Sequence, residues 1–173
     1  MLARKVARKL KPDEIQNWKN PIFYISHMAV ENPNSSCTPV IIVFNSSQKF
    51  NGQFLNDSLA KGPDHYMTGL LGILLRWREN RSVLIGDVKK FISIHIYEAE
   101  QQWHQFLWRD MNLTQEPDTY VITRVNMGDR PAPTISAEAI LKTAQLYKEE
   151  YPRVARLFRG SMYLDDVGRV SRK

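Results

Sequence analysis

Short β-branched runs alternating with helical stretches predict an α+β or α/β fold with mixed strand pairing. Two observations carry this. The runs 40–44 (Val-Ile-Ile-Val-Phe) and 82–86 (Ser-Val-Leu-Ile-Gly) have strand length and are apolar between polar or turn residues. Between them, Leu70, Leu71, Leu74 and Leu75 recur at helical spacing, which predicts a helix with that face in the core. The 173 residues are one domain's worth of chain, enough to bury a core. A hydrophobic fraction of 43% excludes a disordered or collagen-like chain.

The elements follow in order. A short helix is expected over 11–18, where Pro12 suits the first turn and Asp13 and Glu14 complement the helix dipole. Pro21 stops it. Residues 22–30 read as a strand, 31–39 as a turn-rich loop and 40–44 as a buried strand, together a hairpin with a long tip. The stretch 45–63 is polar and irregular, and Pro63 opens a helix reaching about residue 80. The strand 82–86 ends in Asp87, and 91–96 continues in extended or mixed form. Strands are expected at 105–109 and 120–125, with a turn at 116–118 between them. A loop rich in Gly and Pro spans 126–133, and a helix spans 134–151. Pro152 bounds that helix, and Val154, Leu157 and Phe158 form a further turn. A strand at 161–164 runs into Asp165 and Asp166, with 167–170 as its hairpin partner.

Composition narrows the function classes. Lys plus Arg number 24 and Asp plus Glu 18, a net charge of +6 that suits a polyanionic partner without requiring one. The lone Cys37 forms no internal disulfide. The four histidines (His27, His65, His95, His104) lack zinc-site spacing, and His95 and His104 read as ordinary polar-face residues. No apolar run approaches the ~20 residues needed to span a bilayer. The basic N-terminus, residues 1–11, lacks the apolar core of a signal peptide and reads as a solvated lead-in to the fold.

The acidic residues at strand ends carry the chemistry. Asp87 closes one apolar strand, and Asp165 and Asp166 close another. If those strands are neighbours, carboxylates converge at one sheet edge, where mutual repulsion favours a cation between them. Mg²⁺ takes such hard oxygen ligands and completes its shell with water and phosphate oxygens. Two ions ~3.5–4 Å apart could then support nucleotidyl transfer. Asp is also a common turn residue, so spacing alone leaves a solvated turn open.

Three ordered motifs break that tie. Tyr163-Leu-Asp-Asp166 resembles the Tyr-x-Asp-Asp signature of reverse transcriptases. Asp87-Val-Lys-Lys with Phe91 resembles that family's first carboxylate motif. Asn126-Met-Gly-Asp-Arg-Pro-Ala-Pro133 resembles the loop between them, with Gly followed five residues later by Pro. Flanking stretches, among them Phe23-Tyr-Ile-Ser-His27, Ile42-Val-Phe-Asn-Ser-Ser47 and Phe106-Leu-Trp-Arg-Asp110, resemble the polymerase of Bel/Pao-type LTR retrotransposons.

The resemblance implies an RNA-directed DNA polymerase of α+β class, a right hand reduced to fingers and partial palm. Its sheet would be mixed and mostly antiparallel. One truncated domain over 1–173 would be fingers-like at about 1–80 and 97–127 and palm-like at about 81–96 and 128–173. Asp87, Asp165 and Asp166 would be catalytic and hold two Mg²⁺ ions (Mn²⁺ as a substitute), helped by the carbonyl of Val88. Lys49, Phe91, Ile92, Gly128, Arg130 and Tyr163 would meet nucleotide or template. Implied partners are an RNA or DNA template–primer and deoxynucleotides, with no membrane, in a cytoplasmic retroelement particle; the oligomeric state stays open. Trp77, Trp103 and Trp108 could stack on bases, although Trp77 and Trp108 read better as core.

Four departures from the family pattern stand out. Ile92 stands where the family has its sugar-gating aromatic, with Phe91 one place early, and a one-residue slip moves side chains to the opposite face of a strand. Ile41 stands where an Arg is usual and Met28 where a second His is usual. The chain ends seven residues past Asp166, short of any thumb. The expectation is a polymerase by descent, weakly active or inactive as an isolated chain. The alternative is a decayed or repurposed fragment acting as a non-catalytic nucleic-acid-binding or interaction module.

Overall fold

The computed structural model describes residues 6–34, 36, 39–63, 69–78, 82–88, 94–163 and 166–170. In chain order these form β1 (Ala7–Lys9), α1 (Pro12–Asn17), β2 (Ser26–Glu31), β3 (Val40–Asn45), α2 (Leu55–Ser58), α3 (Leu70–Trp77) and β4 (Val83–Asp87). A 3₁₀ helix (Glu98–Trp103) leads to β5 (Gln105–Trp108) and β6 (Asp118–Ile122). Last come α4 (Ala132–Leu146), α5 (Pro152–Ser161), β7 (Met162–Tyr163) and β8 (Asp166–Val170). The class is mixed α+β, with every strand pair antiparallel among the described residues. The chain divides into two compact units, Met1–Ala60 with His95–Arg130, and Lys61–Ile94 with Pro131–Lys173.

The first unit holds a three-stranded sheet, β1-β6-β5, and the β2–β3 hairpin. Its core is Ala7, Ile25, Phe44, Leu55, Phe106 and Ile122. Aromatic rings lock the two sheets: Phe44 meets Phe106 edge-on at 4.9 Å, and His27 lies 5.5 Å from Phe106 and 5.6 Å from Trp108. Such ring pairs add to area burial. The hairpin runs in register from Ser26↔Asn45 to Glu31↔Val40, so the long-tipped hairpin of the sequence is present, although β2 starts only at Ser26. Before it, the Ile25 N–H donates to the Gln105 carbonyl at 2.8 Å and ties this segment to β5.

The described part of the basic N-terminal stretch, residues 6–11, is not a solvated lead-in. Ala7 and Leu10 are buried, and β1 pairs with β6. Arg8 is half-buried and satisfied, donating to Glu14 through both terminal guanidinium nitrogens (2.8 and 3.0 Å) and to Gln101 through Nε at 2.9 Å. Glu14 also accepts the Lys11 N–H at 2.8 Å, closing the first turn of α1. The Arg8 hydrogen bond, foremost, holds the Glu14 carboxyl below its ordinary range.

The second unit contains α3, α4, α5 and the sheet β4-β8-β7. The leucine face expected in the core is turned out: Leu71 is 70% and Leu75 57% exposed, and α3 buries Ile73 instead. The cause is Trp77, four residues on and on the same helix face. Its ring lies over Gly168 of β8, in the space a Cβ there would occupy. That contact turns the Ile73–Trp77 side inward and leaves the leucines outside. The helix expected over 134–151 is shorter and ends at Leu146, and the further turn expected past Pro152 is a full helix. Pro152 starts this ten-residue α5, which absorbs Ser161 from the expected strand. Arg76 of α3 donates to the Gly160 carbonyl at 2.6 Å, pinning the end of α5.

Because Trp77 fills the space above Gly168, Gly168→Ala should destabilise the protein by about 1–3 kcal/mol. Urea unfolding followed by tryptophan fluorescence checks this, with Gly160→Ala as the control, since nothing lies within 4 Å of a Cβ there.

Candidate functional site

Residues singled out in the sequence fall in two places, each inside one unit. In the second unit, β4 and β8 are neighbours, and their register runs from Val83↔Val170 to Asp87↔Asp166. On the other side of β8, Tyr163 pairs with Asp166. Asp87, Asp166 and Tyr163 therefore stand in one row across three strands. The apolar run of β4 determines this: pairing Val83 to Ile85 along β8 brings Asp87 level with the start of that strand. Residues directly opposite in an antiparallel pair share a face, with Cβ atoms about 4.5–5.5 Å apart.

Both carboxylates are exposed. Two like charges directly opposite destabilise a sheet, and a cation between them removes that cost. Paired carboxylate oxygens open to water are the donor set a hard divalent ion accepts, so Asp87 and Asp166 fit Mg²⁺. Among the described residues no group of three or more ligand-type side chains gathers. Asp165, Phe91 and Ile92 lie outside the described residues. Val88, next to Asp87, is half-buried and lines an apolar groove of about 610 Å³ with Ala139, Ala155 and Phe158.

The second place is the turn 126–130 of the first unit. Gly128 is exposed, but its glycine requirement is internal: a Cβ would sit 2.8 Å from the Phe44 carbonyl oxygen. Beneath it, Asp129 is 5% exposed and fully bonded. Its Oδ1 accepts from the Ser46 hydroxyl at 2.5 Å and from Asn126 at 3.0 Å, and its Oδ2 from His104 Nε2 at 2.9 Å. Because an ionised carboxylate only accepts, Nε2 carries the histidine proton. Asn56 of α2 grips the same turn, donating to the Gly128 carbonyl at 2.8 Å and accepting the Arg130 N–H at 2.7 Å. The Arg130 side chain is exposed. Lys49 is exposed too, with Nζ 5.7 Å from the Phe54 ring centroid.

Burial alone pushes the Asp129 carboxyl up. Hydrogen bonds from His104, Ser46 and Asn126, with the attraction of His104, outweigh it and hold the group below its ordinary range. His104 is thus not a polar-face residue: it is buried against Asp129, because the 3₁₀ helix and β5 carry it inward. Ser46, Asn56, His104 and Asp129 were missed in the sequence. Ser46 and Asp129 are 83 residues apart, and no local pattern announces such a contact. Trp108 packs on the core as read, and Trp103 meets Trp18 edge-on at 5.1 Å.

Among the described residues no helix is long and apolar enough to cross a membrane. Compared with protein-family models and with curated proteins, the chain matches none.

Removing Asp129 leaves two buried donors without their acceptor, so Asp129→Ala should cost about 3–5 kcal/mol near neutral pH. The folded pKa lies below the unfolded one. The stabilisation is therefore fully present above about pH 4 and is lost as pH falls through the lowered value. Urea midpoints of wild type and Asp129→Asn across pH 3–7 check the sign: the gap between them should narrow only toward the acid end.

Proposed function

We propose that the chain is the fingers–palm portion of a reverse transcriptase akin to those of Bel/Pao-type retrotransposons, an RNA-directed DNA polymerase by descent. The observation that carries this reading is the Asp87↔Asp166 register beside Tyr163. It brings Asp87 of the first carboxylate motif level with Tyr163 and Asp166 of the Tyr-x-Asp-Asp motif, although Asp87 and Asp166 are 79 positions apart. The reaction is transfer of a nucleotidyl group: a primer 3′-hydroxyl attacks the α-phosphate of a deoxynucleotide, and pyrophosphate leaves.

Asp87 and Asp165 would be the main Mg²⁺ ligands, with Asp166 and the Val88 carbonyl completing the set. When bound, the ions supply a lowered pKa for the attacking hydroxyl and neutralise triphosphate charge. Exposed Arg130 offers a planar donor fork for phosphodiester oxygens, and exposed Lys49 a point charge. The net charge of +6 favours the same polyanion.

A second reading has its own observation. Ile41, where a triphosphate-binding Arg is usual in the family, lies exposed on β3 opposite Val30. An apolar side chain there offers triphosphate no donor, which suits a fragment that binds nucleic acid without extending it.

Primer extension by the purified chain with Mg²⁺ or Mn²⁺ separates the readings. Extension that vanishes in Asp87→Asn supports the first. Salt-dependent binding of primer–template without extension supports the second. Neither result with wild type overturns both. A companion measurement needs no activity. Asp166→Asn removes a like-charge pair, so it should stabilise the metal-free protein by about 0.5 kcal/mol. It should also abolish any rise in melting temperature on adding Mg²⁺.

A further inference from the structure

The Ser46–Asp129–His104 cluster is the one buried set of titratable and hydroxyl groups, among the described residues, that the proposed chemistry leaves unused. Its geometry excludes a nucleophilic triad. The Ser46 hydroxyl bonds Asp129, not His104, and Ser46 is wholly buried. What the cluster does is hold a turn. The Asp129 N–H closes the turn onto the Asn126 carbonyl at 3.0 Å. Its carboxylate then ties the turn to Ser46, just past β3, and to His104, just before β5. Asn56 takes the remaining inward-facing backbone groups, the Gly128 carbonyl and the Arg130 N–H. Asn56 is itself fixed, since its own N–H donates to the Ser46 carbonyl at 3.1 Å and its amide to the Ser47 hydroxyl at 2.8 Å.

Inner anchors thus engage the polar groups on one side of the turn, while Gly128 and the Arg130 side chain stay exposed on the other. A buried charge is a costly way to brace a turn, and half-satisfied it would be worse than none. Full bonding from three donors gives a brace with little freedom. We propose that Asp129 and His104 are positioning residues, holding the turn 126–130 so that Gly128 and Arg130 present a preformed surface to a phosphodiester backbone. This rests on the nucleic-acid part of the proposed function.

The test uses the full chain and two readouts, amide hydrogen exchange and affinity for an RNA–DNA primer–template at low salt. In His104→Ala and Asp129→Asn the amides of Asp129 and Arg130 should exchange about tenfold faster, and duplex affinity should fall about tenfold. The amide of Val121 should lose protection by a smaller factor than those of the turn in both variants. His104→Gln keeps a donor at the same reach and should restore both values. Unchanged exchange in the turn overturns the proposal. So does equal loss of protection at Val121, which would mark general destabilisation, or faster exchange with wild-type affinity. If wild type binds no duplex, the nucleic-acid reading falls by itself, and exchange alone decides whether Asp129 and His104 brace the turn.

Discussion

A carboxylate taken out of water must have its oxygens satisfied, and that demand organises the first unit. Asp129 cannot sit where it does unless Ser46, Asn126 and His104 converge on it. Those three come from the end of β3, the turn itself and the start of β5. The aromatic packing above depends on the same arrangement. Phe44 and Phe106 meet edge-on two residues from Ser46 and His104 respectively, so the polar anchor and the apolar contact fix the same two strands. Either alone leaves slack: ring packing tolerates sliding, whereas hydrogen bonds at 2.5–3.0 Å do not.

The second unit is governed by register. Pairing β4 with β8 residue for residue leaves no choice about which side chains face each other at its end. Shifting by one residue would send Asp87 and Asp166 to opposite faces. The unit accepts a like-charge pair at that position, which is unfavourable for an empty sheet and favourable for one that takes a cation. Trp77 over Gly168 keeps α3 on the same strand, so the helix and the carboxylate row share β8 as their base.

Much of this was legible in the residues. The β2–β3 hairpin, α1 and strands β4, β5 and β6 follow from β-branched runs, proline placement and turn residues. The pairing of Asp87 with Asp166 was expected if their strands were neighbours, and they are. Errors came where a local pattern had two physical outcomes. Four leucines at helical spacing describe a stripe without saying which side packs, and one tryptophan decided against them. Ala7 and Leu10 were masked by the lysines and arginines around them, whose long side chains reach solvent or a carboxylate while the backbone joins a sheet.

By itself, the sequence determined a mixed class of helices and strands (α+β or α/β), the order of most elements and the placement of acidic residues at strand ends. These depend on periodicity and on neighbours within a few positions. The antiparallel pairing came from the structure. Only the tertiary structure decided that Asp129 and His104 turn inward, that Asn56 grips Gly128 and Arg130, and that the leucines of α3 face out. Asp129 depends on Ser46 and His104, 83 and 25 residues away, Asn56 on partners 72 and 74 away, and the leucines on the contact of Trp77 with distant Gly168. A buried charge is stable only once such distant donors have arrived, so its location is a property of the packed chain and not of any local stretch.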